Sequence, residues 1–304
     1  MSHDHDHSAE AGRLDSLSRA FGIGIALNVA FAATEAAFGV HADSTALLAD
    51  AAHNLSDVLG LVMAWGASTL ARRVPSNRHT YGFRRATVLA ALSNAVLLIA
   101  AVGAVAWEAI GRLHTPSNPQ STTMMWVAAA GVVVNATSAL LFFRGSKTDA
   151  NVRAAFLHLA ADAAVSAGVV VAGAVLWKTG WRWLDPVTSL IVSAVILLGT
   201  WGLLRDAVHL ALDGVPKHIE IENVRAFLLA LPDVEAVHDL HIWAMSTTEI
   251  ALTAHLVMPW SSCPPAFLSG LEHELADRFG IVHVTVQIEP AGDKTCARGE
   301  VGAL

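Results

Sequence analysis

The chain of 304 residues is 54% hydrophobic and only 15% charged, with a mean hydropathy of +0.50. These values exclude an ordinary soluble protein and predict that most of the chain lies in a lipid bilayer. A net charge of -7 and the lack of any Lys/Arg-rich run argue against a nucleic-acid partner, because phosphate binding needs clustered cations. The two cysteines, Cys263 and Cys296, are too few for a disulfide scaffold or a CxxC-type zinc module.

Residues 1–15 are polar and acidic, and three histidines alternate there with two aspartates: His3, Asp4, His5, Asp6 and His7. Two interpretations are open, a disordered terminus and a low-affinity tail that collects metal ions. No basic segment precedes the first apolar stretch, which argues against a cleaved signal peptide.

Six windows are long and apolar enough to cross a membrane, which takes about 20 residues of helix. They cover residues 18–40, 45–71, 85–111, 122–144, 152–177 and 184–207. The loops between them are short and carry helix-breaking residues. We therefore expect a membrane α-helical domain with six transmembrane helices over residues 16–208.

The Lys and Arg residues at the helix ends predict the orientation of this domain. One side carries ten of them before the last span, and Arg205 follows at its exit: Arg13, Arg19, Arg72, Arg73, Arg78, Arg84, Arg85, Arg144, Lys147 and Arg153. The other side carries only Arg112, Lys178 and Arg182. The positive side is normally cytoplasmic, so both termini are expected in the cytoplasm.

After residue 208 the pattern is that of a small α+β domain over residues 209–290. Helices are predicted at 218–230 and 264–279, and strands at 234–245, 249–258 and 282–289. This is an α-β-β-α-β order, for which we expect antiparallel strands. In the last strand the apolar residues Val282, Val284, Val286 and Ile288 alternate with the polar residues His283, Thr285, Gln287 and Glu289. Residues 291–304 are expected to be a disordered tail.

Two predicted spans contain ionisable residues, which cost a few kcal/mol each in lipid and therefore indicate a function. Helix two carries His53 and Asp57, and helix five carries His158 and Asp162. Both pairs have the i, i+4 spacing that places the two side chains on one helix face.

Two such faces together supply two nitrogens and two oxygens, a complete tetrahedral shell for Zn²⁺. The alternative is a pair of isolated His–Asp hydrogen bonds, or polar side chains that hold helices together. The repeated motif and the small residues around it favour the shared metal site. Asp50, one turn before His53, is expected to support the site, and Glu35 is expected to line a polar path. Asp43 is expected to cap the helix that begins near Ser44.

Four sequence segments together resemble the cation diffusion facilitator family, in its zinc transporter branch. They are HADSTALLADAAHNLSD at 41–57, RHTYGFRRA at 78–86, DGVP at 213–216 and VHDLHIWA at 237–244, with His158 and Asp162 in addition. The resemblance covers about residues 15–290. It differs at Thr87, where the zinc branch often has a glutamate. The short loop from Gly145 to Asn151 favours the bacterial type of zinc, cadmium and cobalt efflux protein.

The resemblance implies a homodimeric metal/proton antiporter with six transmembrane helices and a cytoplasmic ferredoxin-like domain. It implies that the helix-two and helix-five motifs hold the transported ion. It also implies that His238, His255 and Glu289 help to bind regulatory Zn²⁺, and we add His283 because it shares a strand with Glu289. The alternative for this second set is a solvated sheet face with incidental histidines.

The expected function is therefore Zn²⁺ efflux by alternating access, with protons as the counter-ion, in the inner (plasma) membrane. Export of Cd²⁺, Co²⁺, Ni²⁺, Fe²⁺ or Mn²⁺ by the same mechanism is an alternative, and a membrane metal sensor that transports nothing is another. A metalloenzyme is not expected, because the sequence has no His-Glu-x-x-His motif.

Overall fold

A computed structural model describes residues 29–115, 117–143, 150–259 and 265–290. The predictions for the N-terminal His/Asp run, for residues 18–28 of the first window and for the tail at 291–304 lie outside the described residues. Cys263 and Cys296 lie outside them as well.

The described residues between 29 and 211 are mainly helical. Helix α1 is described over residues 29–41, and five longer helices follow: α2 at Thr45–Ala71, α3 at Ala86–His114, α4 at Ser121–Phe143, α5 at Ala150–Thr179 and α6 at Leu184–Ala211. Within the described residues, five helices are long and apolar enough to cross a membrane, one in each of α2 to α6. Five of the six predicted windows are thus confirmed as apolar helices, and the sixth, over 18–40, stays a prediction.

The chain forms two compact units, of which the first comprises Met1–Val62 and Asn94–Gly202. Its buried centre combines small residues such as Ala46 with larger ones such as Leu47 and Met124. A side chain on Gly173 would lie 2.7 Å from Met125, and one on Gly131 would lie 2.8 Å from Phe31. Glycine at these positions lets α4 approach both α5 and α1 closely, as is usual for helices in membranes.

Helix α2 begins at Thr45, directly after Ser44, and is capped by a carboxylate from a distant part of the chain. The buried Asp185, in the first turn of α6, accepts hydrogen bonds from Ser44 Oγ at 2.5 Å and from the Thr45 N–H at 2.9 Å. The expectation that Asp43 caps this helix is wrong, because its side chain forms an ion pair with Arg112 at 2.7 Å. A carboxylate at a helix N-terminus satisfies free N–H groups and complements the helix dipole.

The second unit comprises Met63–Ser93 and Leu203–Leu304. Its C-terminal part has the predicted α-β-β-α-β order: α7 at Ile221–Leu229, β1 at Ala236–Ala244, β2 at Ile250–Val257, α8 at Pro265–Phe279 and β3 at Ile281–Glu289. The strands are arranged β1-β2-β3, with β1 antiparallel to β2 and β2 parallel to β3. The expectation of antiparallel strands throughout is therefore wrong for β3. Helix α8 carries the chain back to the end of the sheet at which β2 begins. The next strand, β3, therefore runs parallel to β2.

One face of this sheet packs against the two helices around Leu228, Leu252 and Leu275. Val284, Val286 and Ile288 of β3 face that core as predicted. Val282 does not, since it is 57% exposed at the start of the strand.

In the same unit, the segment between α2 and α3 contacts the C-terminal part. Arg84 pairs with Glu249 at 2.7 Å, and Arg85 forms an ion pair with Asp213. At the position where the zinc branch often has a glutamate, the Thr87 hydroxyl accepts a hydrogen bond from the Thr247 N–H at 3.0 Å. A neutral hydroxyl thus makes a backbone contact at this position.

Candidate metal centres

Helices α2 and α5 bring the four predicted transmembrane ligands together. His53 Nε2 lies 3.2 Å from an oxygen of Asp162 and 3.7 Å from one of Asp57. His158 Nε2 lies 3.1 Å from Asp57 and 3.6 Å from Asp162. Each imidazole therefore faces one carboxylate of its own helix and one of the other helix.

The four His–Asp separations are close to four of the six edges of a tetrahedron around one ion. Ligands about 2.0–2.2 Å from Zn²⁺ lie about 3.3–3.6 Å from one another. The four His–Asp separations span 3.1–3.7 Å, and one ligand atom from each of the four residues lies within 4.8 Å of the others. The imidazole rings of His53 and His158 meet edge to face, with centroids 5.8 Å apart.

Burial differs across this four-ligand site. The side chain of Asp162 is 7% exposed and that of His53 is 15% exposed. Those of Asp57 and His158 are 32% and 50% exposed. The site is therefore closed on the side of Asp162 and open on the side of His158.

Asp50, the predicted supporting residue, lies outside the ligand group. It is fully buried and accepts a hydrogen bond from Ser166 at 2.8 Å. Glu35 is also fully buried and accepts a hydrogen bond from Asn54 at 2.9 Å. The spacing of Asp50 from His53 was sufficient to predict that Asp50 supports the site. The hydrogen bonds that Asn54 and Ser166 donate could not be predicted from the sequence.

A second group of possible ligands lies on the sheet of the second unit. His238 on β1 and His255 on β2 are directly opposite each other, with ring centroids 5.0 Å apart. Glu289 at the end of β3 contacts both, at 3.0 Å from His238 Nε2 and 2.8 Å from His255 Nδ1. These three residues form a half-buried cluster with the ligand types that Zn²⁺ prefers.

A β-bulge adds an aspartate beside this three-residue cluster. The register of β1 shifts between His238 and His241, and Asp239 adopts a left-handed conformation with φ of 49°. Its carboxylate lies 3.6 Å from His255 Nε2 and 3.0 Å from His241 Nε2. Asp239 was not predicted, because sequence alternation does not reveal a bulge. Among the described residues, Asp239 links His241 to the cluster, at 3.0 Å from His241 Nε2.

The structure does not bring His283 to the cluster. It pairs with Ala251 in the parallel register, whereas Glu289 pairs with Val257. The six residues between His283 and Glu289 correspond to about 20 Å of strand. The ring of His283 instead contacts Tyr81, with centroids 5.4 Å apart.

Comparison with known proteins connects both halves of the chain to one family. Residues 22–210 match the cation efflux transmembrane domain, and residues 216–291 match the cation efflux protein, cytoplasmic domain. The zinc transporter ZitB of Escherichia coli is 35% identical, over 95% of this chain and 93% of its own.

Two further relatives have names that describe several metals. The metal cation efflux system protein CzcD of Cupriavidus metallidurans is 35% identical, over 95% of this chain and 90% of its own. The cadmium, cobalt and zinc/H(+)-K(+) antiporter of Bacillus velezensis is 32% identical, over 96% of this chain and 93% of its own. The chain is thus a multi-pass membrane protein with a C-terminal cytoplasmic domain, and it belongs to the cation diffusion facilitator family, in the branch that contains these bacterial metal efflux proteins.

Proposed function

We propose that the protein exports Zn²⁺ from the cytoplasm in exchange for protons, by alternating access through the four-ligand site of His53, Asp57, His158 and Asp162. The proposal is supported by two imidazoles and two carboxylates that come together from two apolar helices, with His–Asp separations of 3.1–3.7 Å. The names of the relatives, which include zinc transport and proton antiport, support it.

Exchange with protons follows from the chemistry of the ligands. An imidazole binds metal only when its nitrogen is deprotonated, and a carboxylate binds best as an anion. Metal and protons therefore compete for the same four side chains. Zinc that enters from the cytoplasm displaces protons, and protons that arrive from the outer side expel zinc.

The ligand set also allows other ions, and the relatives' names favour two of them. Cd²⁺ and Co²⁺ accept mixed nitrogen and oxygen ligands and appear in the names of related proteins. Ni²⁺ and Fe²⁺ are less favoured alternatives. Mn²⁺ prefers more oxygen ligands than this site provides.

For the architecture, we propose six transmembrane helices over 16–208 and a ferredoxin-like cytoplasmic domain over 209–290. The Lys/Arg distribution favours cytoplasmic termini in the inner membrane. The α-β-β-α-β order of the C-terminal part supports the ferredoxin-like assignment.

We further propose that His238, His255 and Glu289 bind a regulatory Zn²⁺ in a homodimer. Zinc that binds more tightly when two cytoplasmic domains are close would shift the dimer toward that arrangement. Asp239 would orient His255, since a carboxylate on the second ring nitrogen fixes which nitrogen is free for metal. His283 has no place in this ligand set.

The decisive experiment measures Zn²⁺ flux in proteoliposomes with an internal zinc-sensitive dye, with and without a pH gradient. Flux that depends on the gradient in the parent and disappears in Asp162→Ala supports the proposal. If the parent carries Cd²⁺ or Co²⁺ but no Zn²⁺, the proposed identity of the transported ion is wrong. A parent that binds zinc in its cytoplasmic domain but carries no metal would favour a membrane sensor.

A further inference from the structure

Two acidic residues beside the four-ligand site are buried, and among the described residues neither forms an ion pair with a Lys or Arg. Glu35 in α1 and Asp50 in α2 are both fully buried. The proposed transport mechanism does not use either of them. An isolated ionised carboxylate in such a place is strongly unfavourable, so the pair requires a physical account.

In each of the two carboxylates, one oxygen accepts a hydrogen bond and the other does not, among the described residues. Asn54 donates to Glu35 Oε2 at 2.9 Å, and Ser166 donates to Asp50 Oδ2 at 2.8 Å. Glu35 Oε1 and Asp50 Oδ1 have no hydrogen-bond donor among the described residues. Asn54, the donor to Glu35, follows Asp50 by four residues on α2, so both carboxyl groups lie at the same face of that helix.

A single proton shared by the two carboxyl groups would explain how both can be buried. Two buried carboxylates at one helix face disfavour each other's ionised form, because like charges repel at close range. A proton on Glu35 would make its carboxyl group a donor to Asp50, which would give both free oxygens a partner. Removing that proton would leave two buried negative charges side by side.

The charge state of the four-ligand site acts on this pair. Asp50 precedes His53 by one turn, and Ser166, its hydrogen-bond donor, follows Asp162 by one turn, so Asp50 lies beside two of the four ligands. The side chains that hydrogen-bond to the pair among the described residues, Asn54 and Ser166, do not titrate. An ion of charge +2 bound between α2 and α5 would therefore favour loss of the shared proton, and departure of the ion would favour its return.

We propose that Glu35, with Asp50 as its acceptor, is a proton-binding site separate from the metal ligands, which releases its proton when metal binds and regains it when metal leaves. The inference rests on the proposed metal/proton exchange and adds one proton to it for each protomer. Its ligand is a proton, which would neutralise one of the two buried carboxylates in place.

The test compares Glu35→Gln with the parent in weakly buffered detergent solution, where a pH indicator counts the protons released on zinc binding. Glutamine is neutral, has the same shape and can still donate to Asp50, so the fold should persist. We expect Glu35→Gln to release about one proton fewer per protomer, with zinc affinity at alkaline pH close to that of the parent. Glu35→Asp retains the acid and should retain most of the release.

Ser193→Ala is the matched control, because Ser193 is also buried and its hydroxyl has no partner among the described residues. It should release as many protons as the parent. Infrared difference spectra give a second measurement: zinc should remove a carboxylic-acid C=O band in the parent, and Glu35→Gln should lack that change.

The outcomes separate the two proposals. A parent that binds zinc without releasing protons contradicts proton exchange itself. If the parent and Glu35→Gln release the same number of protons, and the substitution does not change the zinc-sensitive acid band, only the proposed role of Glu35 is wrong. If Glu35→Gln does not fold, the parent spectrum decides, because the absence of any acid band that zinc removes contradicts the proposal.

Discussion

The two candidate metal centres are built in different ways. The four-ligand site takes all its ligands from two helices, and each helix supplies a His–Asp pair within one turn. The three-residue cluster takes one ligand from each of three strands and depends on a β-bulge and on strand register. A site within helices follows from local spacing, whereas a site across strands follows from pairing between distant segments.

The largest effect should follow removal of the most buried ligand, Asp162. Asp162→Ala should reduce zinc flux more than about 100-fold, because even partners that only orient metal ligands are worth about 10–100-fold. Proteoliposome flux is the measurement. Glu108→Ala, which removes an exposed carboxylate on α3, should leave flux unchanged. Substantial flux in Asp162→Ala would mean that metal crosses elsewhere.

Acidification should be the next largest effect. Because His53 and His158 bind metal only in the neutral form, zinc affinity at the four-ligand site should fall as pH decreases from 8 to 6. The decrease should be up to about tenfold per pH unit for each histidine that must lose a proton. Calorimetric zinc titrations of Glu289→Ala, which weakens the other centre, give the affinity at each pH. An affinity that does not change with pH would contradict proton competition.

Loss of Glu289 should separate the two centres. Glu289→Gln keeps the size of the side chain but removes the charge that contacts both histidines, so binding at the three-residue cluster should weaken about 10–100-fold. Zinc titration in an Asp162→Ala background isolates this cluster. In Glu289→Gln alone, zinc flux at saturating zinc should persist. A loss of flux as complete as that in Asp162→Ala would indicate that the two centres act as one functional unit.

A smaller effect is expected at the bulge. Asp239→Asn should weaken zinc binding at the cluster by about tenfold, since it alters the group that orients His255. The same titration measures it. An effect larger than that of Glu289→Gln would indicate that Asp239 contacts the metal directly.

His283→Ala should have the smallest effect, with zinc affinity at both centres equal to that of the parent. Its ring contacts Tyr81 rather than the cluster. A clear decrease in affinity at the cluster would return His283 to the ligand set.

The contrast between the centres also explains how much the sequence could predict. Apolar length and the i, i+4 motif were sufficient for five helices and for the meeting of His53, Asp57, His158 and Asp162, because helix geometry is local. The direction of β3 and the position of Asp239 depend on a crossover and a bulge, which residue alternation does not encode. Asp185, which caps α2 from 141 residues away in the chain, could not be predicted for the same reason.

The cap at Asp185 restricts how α2 can move. Sliding the helix along its axis would break the hydrogen bonds of Ser44 and Thr45, whereas tilting it about that end preserves them. His53 lies nine residues further on, about 13 Å along the axis. A tilt of about 10° would therefore displace it by about 2 Å, comparable to a metal–ligand bond. With α2 as a lever and Asp185 as its fulcrum, a small rotation is sufficient to assemble or open a coordination shell.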